Sequence, residues 1–251
     1  MRKTLFVFAF FLFALSANAE KITVFVASSA SNALKEVKDE FLKTRKNDDI
    51  ELVFGASGKH YQLLKEGREF DMFFSADTAY AEQIYKDSLA LTRPAVYALG
   101  VVALYSLDKH LIKDGISSLA KQGQKIKHLS IANPKVAPYG VAATEVLNKL
   151  KIYNKFKNKI VLGDNISQPV IHVDTGVVEV GIVAYSLVSA VNKPKGKALV
   201  IDNSLFSPLE QSFVITSYAK GAKKDLALAF HDFVLSDKGK EIIKKYGFNT
   251  K

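Results

Sequence analysis

The 251 residues predict an α/β fold of mainly parallel sheets flanked by helices, divided into two domains that face a common cleft. Three observations carry that expectation. Short β-prone apolar runs alternate with segments whose apolar residues recur at helical spacing. Four times, a strand runs into a turn of small or polar residues and then straight into a helix. Two of these units precede Tyr97 and two follow it, and in open α/β sheets a ligand sits beyond the carboxyl ends of the strands.

In the first unit, Ile22–Ala27 is the strand, Ser28, Ser29, Ala30 and Ser31 are the turn, and Ala33, Leu34, Val37 and Phe41 mark the buried face of the helix. A helix start carries unpaired backbone N–H groups and roughly half a positive charge. Hydroxyls gathered there suit an anion; capping the helix is the other use of the same serines. Ile50–Phe54, Gly55-Ala56-Ser57-Gly58 and Lys59–Glu66 repeat the grammar, with glycines that allow a close backbone approach. Asp71–Ser75 is a third strand, whose Asp71 is expected to hold a loop, and Asp77 caps the helix Thr78–Lys86.

Tyr97–Tyr105 is long and β-prone, interrupted at Ala98-Leu99-Gly100 as a strand is when it crosses between domains. A short helix at Ile116–Lys121 precedes the third unit. That unit is the strand His128–Ala132, the turn Ala137-Pro138-Tyr139-Gly140 and the helix Val141–Leu150, with Tyr139 held at the helix mouth. The fourth is the strand Lys159–Leu162, a polar turn, and a helix from Ile166 to Thr175. Its Pro169 is tolerated because it lies in the first turn, and Asp164 is assigned to capping. Val180–Ala184 and Ala198–Ile201 are strands, Glu210–Thr216 is a strand crossing back, and Ala222–Leu235 and Lys238–Tyr246 are amphipathic helices.

Composition narrows the class. Met1–Ala19 reads as a cleaved export signal: Arg2 and Lys3, an eleven-residue apolar block from Leu5 to Leu15, and Ala17-Asn18-Ala19 as the cleavage site. With no cysteine there is no disulfide scaffold, no thiolate metal site and no lipidated cysteine. The net charge is +10, or +8 without Arg2 and Lys3, but the lysines are scattered and form no basic stripe with aromatics. Nucleic acid is therefore not expected, whereas a mild positive field favours anions. There is no phosphate-binding glycine loop, and the five histidines show no metal-ligand spacing. A serine hydrolase built on Ser29 or Ser57, with His60 one turn from Ser57 as base, is the alternative of another class. It lacks a nucleophile elbow and any residue to orient the base. A structural or adhesive surface protein is a third reading, disfavoured by the absence of repeats.

Six blocks also carry a family likeness. Ala27-Ser28-Ser29, Gly55-Ala56-Ser57-Gly58, Phe73-Phe74-Ser75-Ala76-Asp77, Ala137-Pro138-Tyr139-Gly140, Gly181-Ile182-Val183-Ala184 and Lys245-Tyr246-Gly247-Phe248 occur in the order seen in periplasmic molybdate-binding proteins. The chain after the signal resembles that family along essentially its whole length. The resemblance implies a type II periplasmic binding protein-like fold that hinges shut on one oxyanion. Residues 20–96 with 204–251 would form one domain and residues 97–203 the other. It implies no enzyme activity and no cofactor. The ligand would be molybdate, with tungstate as its close analogue, and molybdenum would be held only as the oxyanion. The partner would be the membrane permease of an ABC importer, and the protein a monomer in the periplasm. Carried over by motif, Ser28 and Ser29 are donors at the first turn, Ser57 at the second, Tyr139 at the third and the Ile166 backbone N–H at the fourth. Relatives often place a tyrosine directly after Gly-Ile-Val; here Ala184 stands there and Tyr185 follows, so Tyr139 is expected to donate instead.

A site made of donors alone suits an oxyanion that is fully deprotonated near neutral pH, such as molybdate, tungstate or sulfate. Hydrogen phosphate brings a proton and requires an acceptor. Sulfate or another oxyanion is the alternative ligand, because cavity size is not written in the sequence.

Overall fold

The computed structural model describes residues 19–250. The expected export signal, Met1–Ala19, thus lies outside the described residues apart from Ala19. Two five-stranded sheets form the body. The first comprises β1 (Lys21–Ala27), β2 (Asp49–Gly55), β3 (Met72–Phe74), β4 (Ala95–Leu99) and, from near the C-terminus, β10 (Glu210–Ile215), in the order β2-β1-β3-β10-β4. The second comprises β5 (Val102–Ser106), β6 (Leu129–Ala132), β7 (Ile160–Gly163), β8 (Val180–Ala184) and β9 (Lys197–Val200), in the order β7-β6-β8-β5-β9. The helices are α1 (Ser31–Leu42), α2 (Ser57–Lys65), α3 (Ala79–Lys86), α4 (Ser117–Gln122), α5 (Pro138–Lys149), α6 (Tyr153–Phe156), α7 (Ser167–Asp174), α8 (Tyr185–Val188), α9 (Ala222–Leu235) and α10 (Asp237–Lys245).

Each sheet has a parallel part, β2-β1-β3 and β7-β6-β8, and both are extended by antiparallel strands. β10 runs antiparallel to β3 and β4, and β5 antiparallel to β8 and β9. The sheets are therefore mixed, because β5 and β10, by which the chain enters each sheet from the other, run against the strand–helix units. The crossing occurs at Gly100–Val101, between β4 and β5, so the boundary expected at 96/97 falls inside β4.

Strand alternation explains why the apolar runs are continuous. Ile22, Val24 and Val26 of β1 pack with Leu34, Val37 and Phe41 of α1, Phe230 of α9 and Ile243 of α10. Phe25, Phe73 and Val214 turn to the other face, against Leu64 of α2 and Ile84 of α3. The second sheet is covered likewise, Leu104, Ile131 and Ile182 lying against Val146 and Leu147 of α5, and Ala103 and Val183 against Val173 of α7. Helices on both faces bury both sets of side chains, so the strands read as unbroken apolar stretches.

The carboxyl ends of the parallel strands meet between the sheets. Ala27, Ala56 and Ala76 from one side share an apolar cluster with Ala137, Tyr139 and Ile166 from the other. Backbone packing is tight here. A Cβ on Gly140 would sit 2.3 Å from the Ala132 carbonyl oxygen and 2.8 Å from the Pro134 nitrogen, both backbone atoms that cannot swing aside. We expect Gly140→Ala to lower unfolding free energy by about 1–3 kcal/mol, as overpacked cores do, measured by urea denaturation; an unchanged midpoint would contradict this packing.

Candidate functional site

A helix leaves its first backbone N–H groups without intrahelical partners, and Ser, Thr, Asp or Asn at the N-cap normally satisfies one of them. Four helix starts here have apolar residues at that position. Ala27 precedes the 3-10 turn Ser28–Ala30 that leads into α1, Ala56 precedes α2, Ala137 precedes α5 and Ile166 precedes α7; none makes a side-chain cap hydrogen bond. All four line one cavity, together with Ser28, Gly55, Ser57, Ala76, Pro138 and Tyr139. A water-sized sphere finds only about 10 Å³ of room there, far below the ~300–1,000 Å³ of clefts for drug-sized ligands, so the two halves are closed tightly on it. None of the described residues lining it is Asp, Glu, His, Lys or Arg.

The hydroxyls are held in definite directions. The Ser57 Oγ accepts the Ala76 N–H at 3.0 Å, which leaves its own proton to be donated. The Ser28 Oγ lies 3.1 Å from the Gly55 carbonyl, to which it donates. Tyr139 sits in the first turn of α5, one residue after Pro138 at the helix start, and its hydroxyl oxygen accepts from Gln211 Nε2 at 2.9 Å. Burial pushes the Tyr139 phenol far above its ordinary range, so it remains protonated.

Of the five residues expected at the site, Ser28, Ser57, Tyr139 and Ile166 lie on this shared cavity. Ser29 is buried beside it, but its hydroxyl donates to Gln211 Oε1 at 3.1 Å. Successive side chains in a 3-10 turn diverge by about a third of a turn, so Ser28 and Ser29 cannot aim their hydroxyls at one point. Asp164 does not cap α7: the Asn165 Oδ1 accepts the Ser167 N–H at 2.9 Å instead, and the Asp164 carboxylate pairs with Lys59 Nζ at 2.9 Å. The Asp71 carboxylate accepts the Thr23 N–H at 2.8 Å, a scaffold contact, and the Asp77 carboxylate accepts the Tyr80 N–H at 3.3 Å in the first turn of α3. Gln211 was not foreseen. It stands between Glu210 and Ser212 at the polar start of β10, which gives no signal of burial.

Several contacts join the two halves around the cavity. The Gly58 N–H donates to the Val136 carbonyl at 2.9 Å, Ser186 Oγ to the Ser29 carbonyl at 2.7 Å, and Asn32 Nδ2 to Asn192 Oδ1 at 2.9 Å. Lys59 and Asp164 form an exposed ion pair between the halves at 2.9 Å.

Comparison with known proteins fits this arrangement. The family of bacterial extracellular solute-binding proteins matches residues 22–249. The chain belongs to that family. It is 33% identical over 238 residues to the molybdate-binding protein ModA of Rhodobacter capsulatus, covering 94% of this chain and 91% of that one. It is 34% identical over 239 residues to the ModA of Azotobacter vinelandii, covering 94% and 93%. The solved periplasmic molybdate-binding protein of Azotobacter vinelandii superposes with a TM-score of 0.85 at 28% identity, over 92% of this chain and 99% of that one. The family is one of binding proteins, in line with the expectation of no enzyme activity.

The hydrolase alternative finds no support in the geometry. The His60 Nδ1 has no hydrogen-bond partner, and no carboxylate orients the ring. His60 packs instead against Phe25, with ring centroids 4.7 Å apart, and its Nε2 presses on Gly55, where a Cβ would lie 2.4 Å away. Burial drives its pKa down from 6.5 to about 4. The folded protein therefore refuses a proton that the unfolded chain takes up near pH 6.5, and stability falls as pH drops from about 6.5 towards about 4. The loss approaches about 3 kcal/mol below that window. Between pH 7.5 and 4.5 the urea midpoint of the wild type should fall further than that of His60→Leu, since the variant lacks this acid sensitivity; a parallel decline in both would contradict it.

Proposed function

We propose that this protein binds one fully deprotonated tetrahedral oxyanion, molybdate and with it tungstate, in the periplasm and delivers it to the membrane permease of an ABC importer. The observation that carries this reading is the convergence of four helix starts with apolar cap residues, three of them without any side-chain cap, on a small cavity without charged side chains. Such starts present N–H donors and a positive dipole end, each worth about 0.3–2 kcal/mol towards an anion. Hydroxyls add charge-assisted hydrogen bonds of roughly 1.5–3 kcal/mol each. The resemblance to molybdate-binding relatives supports the choice of ion.

In this reading Ser28, Ser57 and Tyr139 supply hydroxyl or backbone donors, Ser29 its backbone N–H, and Ile166 its N–H. No carboxylate lines the cavity, so nothing there accepts the proton of hydrogen phosphate. The two lobes, residues 20–99 with 204–251 and residues 102–203, close about the crossing at Gly100–Val101, and the protein works as a monomer. No resident cofactor is needed, because molybdenum arrives and leaves as the oxyanion.

Two measurements test this. Calorimetry on the wild type should show molybdate and tungstate binding, with phosphate much weaker, and Ser57→Ala should weaken molybdate by at least about tenfold, one lost charge-assisted bond. Equal affinity for phosphate, or no loss in the variant, would overturn the assignment. Small-angle scattering should show a smaller radius of gyration with molybdate than without; identical curves would argue against hinge closure.

A further inference from the structure

The buried amide of Gln211 is unlike anything else around the cavity. It lies on β10, fully buried, where the pairing with β4 shifts register between Gln211 and Ser212. A bulge re-aims side chains, and Tyr97, the β4 residue skipped at that shift, donates its hydroxyl to Gln211 Oε1 at 2.9 Å. Ser29 Oγ donates to the same oxygen at 3.1 Å. A carbonyl oxygen has two lone pairs, and both are now taken, so the amide cannot flip. Its Nε2 must face Tyr139, whose oxygen it reaches at 2.9 Å. The cluster is pressed against the chain crossing: a Cβ on Gly100 would meet the Tyr139 hydroxyl at 2.5 Å and Gln211 Nε2 at 2.9 Å.

We propose that Gln211 is a positioning residue that fixes Tyr139 as a proton donor and so makes the site reject protonated oxyanions. The proposal rests on the oxyanion-binding reading above. Because Gln211 donates to the Tyr139 oxygen, that oxygen is filled as an acceptor and the phenolic proton must be given elsewhere. A bound oxyanion, which presents only acceptors, can take it. Tyr97 keeps the amide oriented, so a hydroxyl can turn to the ligand without leaving Gln211 unpaired. An incoming hydrogen phosphate finds no open lone pair on Tyr139. The titratable groups packed against Gln211 are Tyr97 and Tyr139, and burial raises both, so neither becomes an acceptor anion near neutral pH.

The test is Gln211→Glu, which is nearly isosteric. An ionised Glu can only accept, so it would draw the Tyr139 and Ser29 protons inward and set a negative charge beside the ligand. Molybdate affinity should fall about a hundredfold at pH 8.5 and recover at least about tenfold at pH 6.5, as burial raises the new carboxyl and it protonates into an amide-like donor. The wild type should vary less than about threefold over the same range. A merely structural lesion would not be reversed by acid. Tyr97→Phe, which removes one anchor of the amide and leaves the charge unchanged, should lower the molybdate-to-phosphate affinity ratio by about three- to tenfold. If the wild type binds oxyanions and both variants match it in affinity, pH profile and phosphate rejection, the role of Gln211 is overturned alone. If the wild type binds none of molybdate, tungstate or sulfate, the oxyanion reading falls first and this one with it.

Discussion

Four helix starts with apolar cap residues border one small buried space, and a buried donor left unpaired costs about 1–3 kcal/mol. Most of the architecture follows from bringing those donors together. The strands that feed the helices run parallel within each sheet, so their carboxyl ends lie at one edge. The two sheets then face each other at those edges. Alanine at three of the four cap positions keeps the space narrow and leaves the N–H groups for a guest. A serine or aspartate there would stabilise its own helix and quench the site.

Neutrality of the lining has a second effect. A buried lysine or arginine would require a permanent counter-charge and would hold a dianion too firmly to be handed on. Donors built from peptide groups and alcohols are uncharged whether or not the ion is present, so the unliganded state carries no unpaired buried charge. The ion pair Lys59–Asp164, which joins the halves, is solvent-exposed, with side chains about half or more accessible, and contributes little to closure.

Much of this was legible in the residues. The four strand–turn–helix units fall where the sequence places them, and Ser28, Ser57, Tyr139 and Ile166 share a cavity although they come from distant parts of the chain. Periodicity and small-residue turns are local signals, and parallel topology converts them into a common site. Other features were not local. Which of two adjacent serines faces the cavity depends on the 3-10 geometry of Ser28–Ala30, and the sequence is equally consistent with either. Asp164 looked like a cap because it precedes a helix; its actual partner, Lys59, belongs to the other half. Gln211 lies far along the chain from Ser29, Tyr97 and Tyr139, so only the packed structure shows that they meet. The alanine caps were visible as letters, but their meaning lies in what they omit.

The order of strands in the first sheet also constrains how the chain can assemble. β10, synthesised last, lies between β3 and β4, which are made long before it, whereas the second sheet is contiguous from Val102 to Val200. Until the C-terminal segment arrives, the first sheet has a gap between β3 and β4, with strand edges open on both sides. Closing it requires a contact of very large sequence separation, the kind that folds slowly. A nascent chain emerging N-terminus first is thus held incomplete through most of its synthesis, a delay that suits a polypeptide which must stay threadable until it has crossed a membrane.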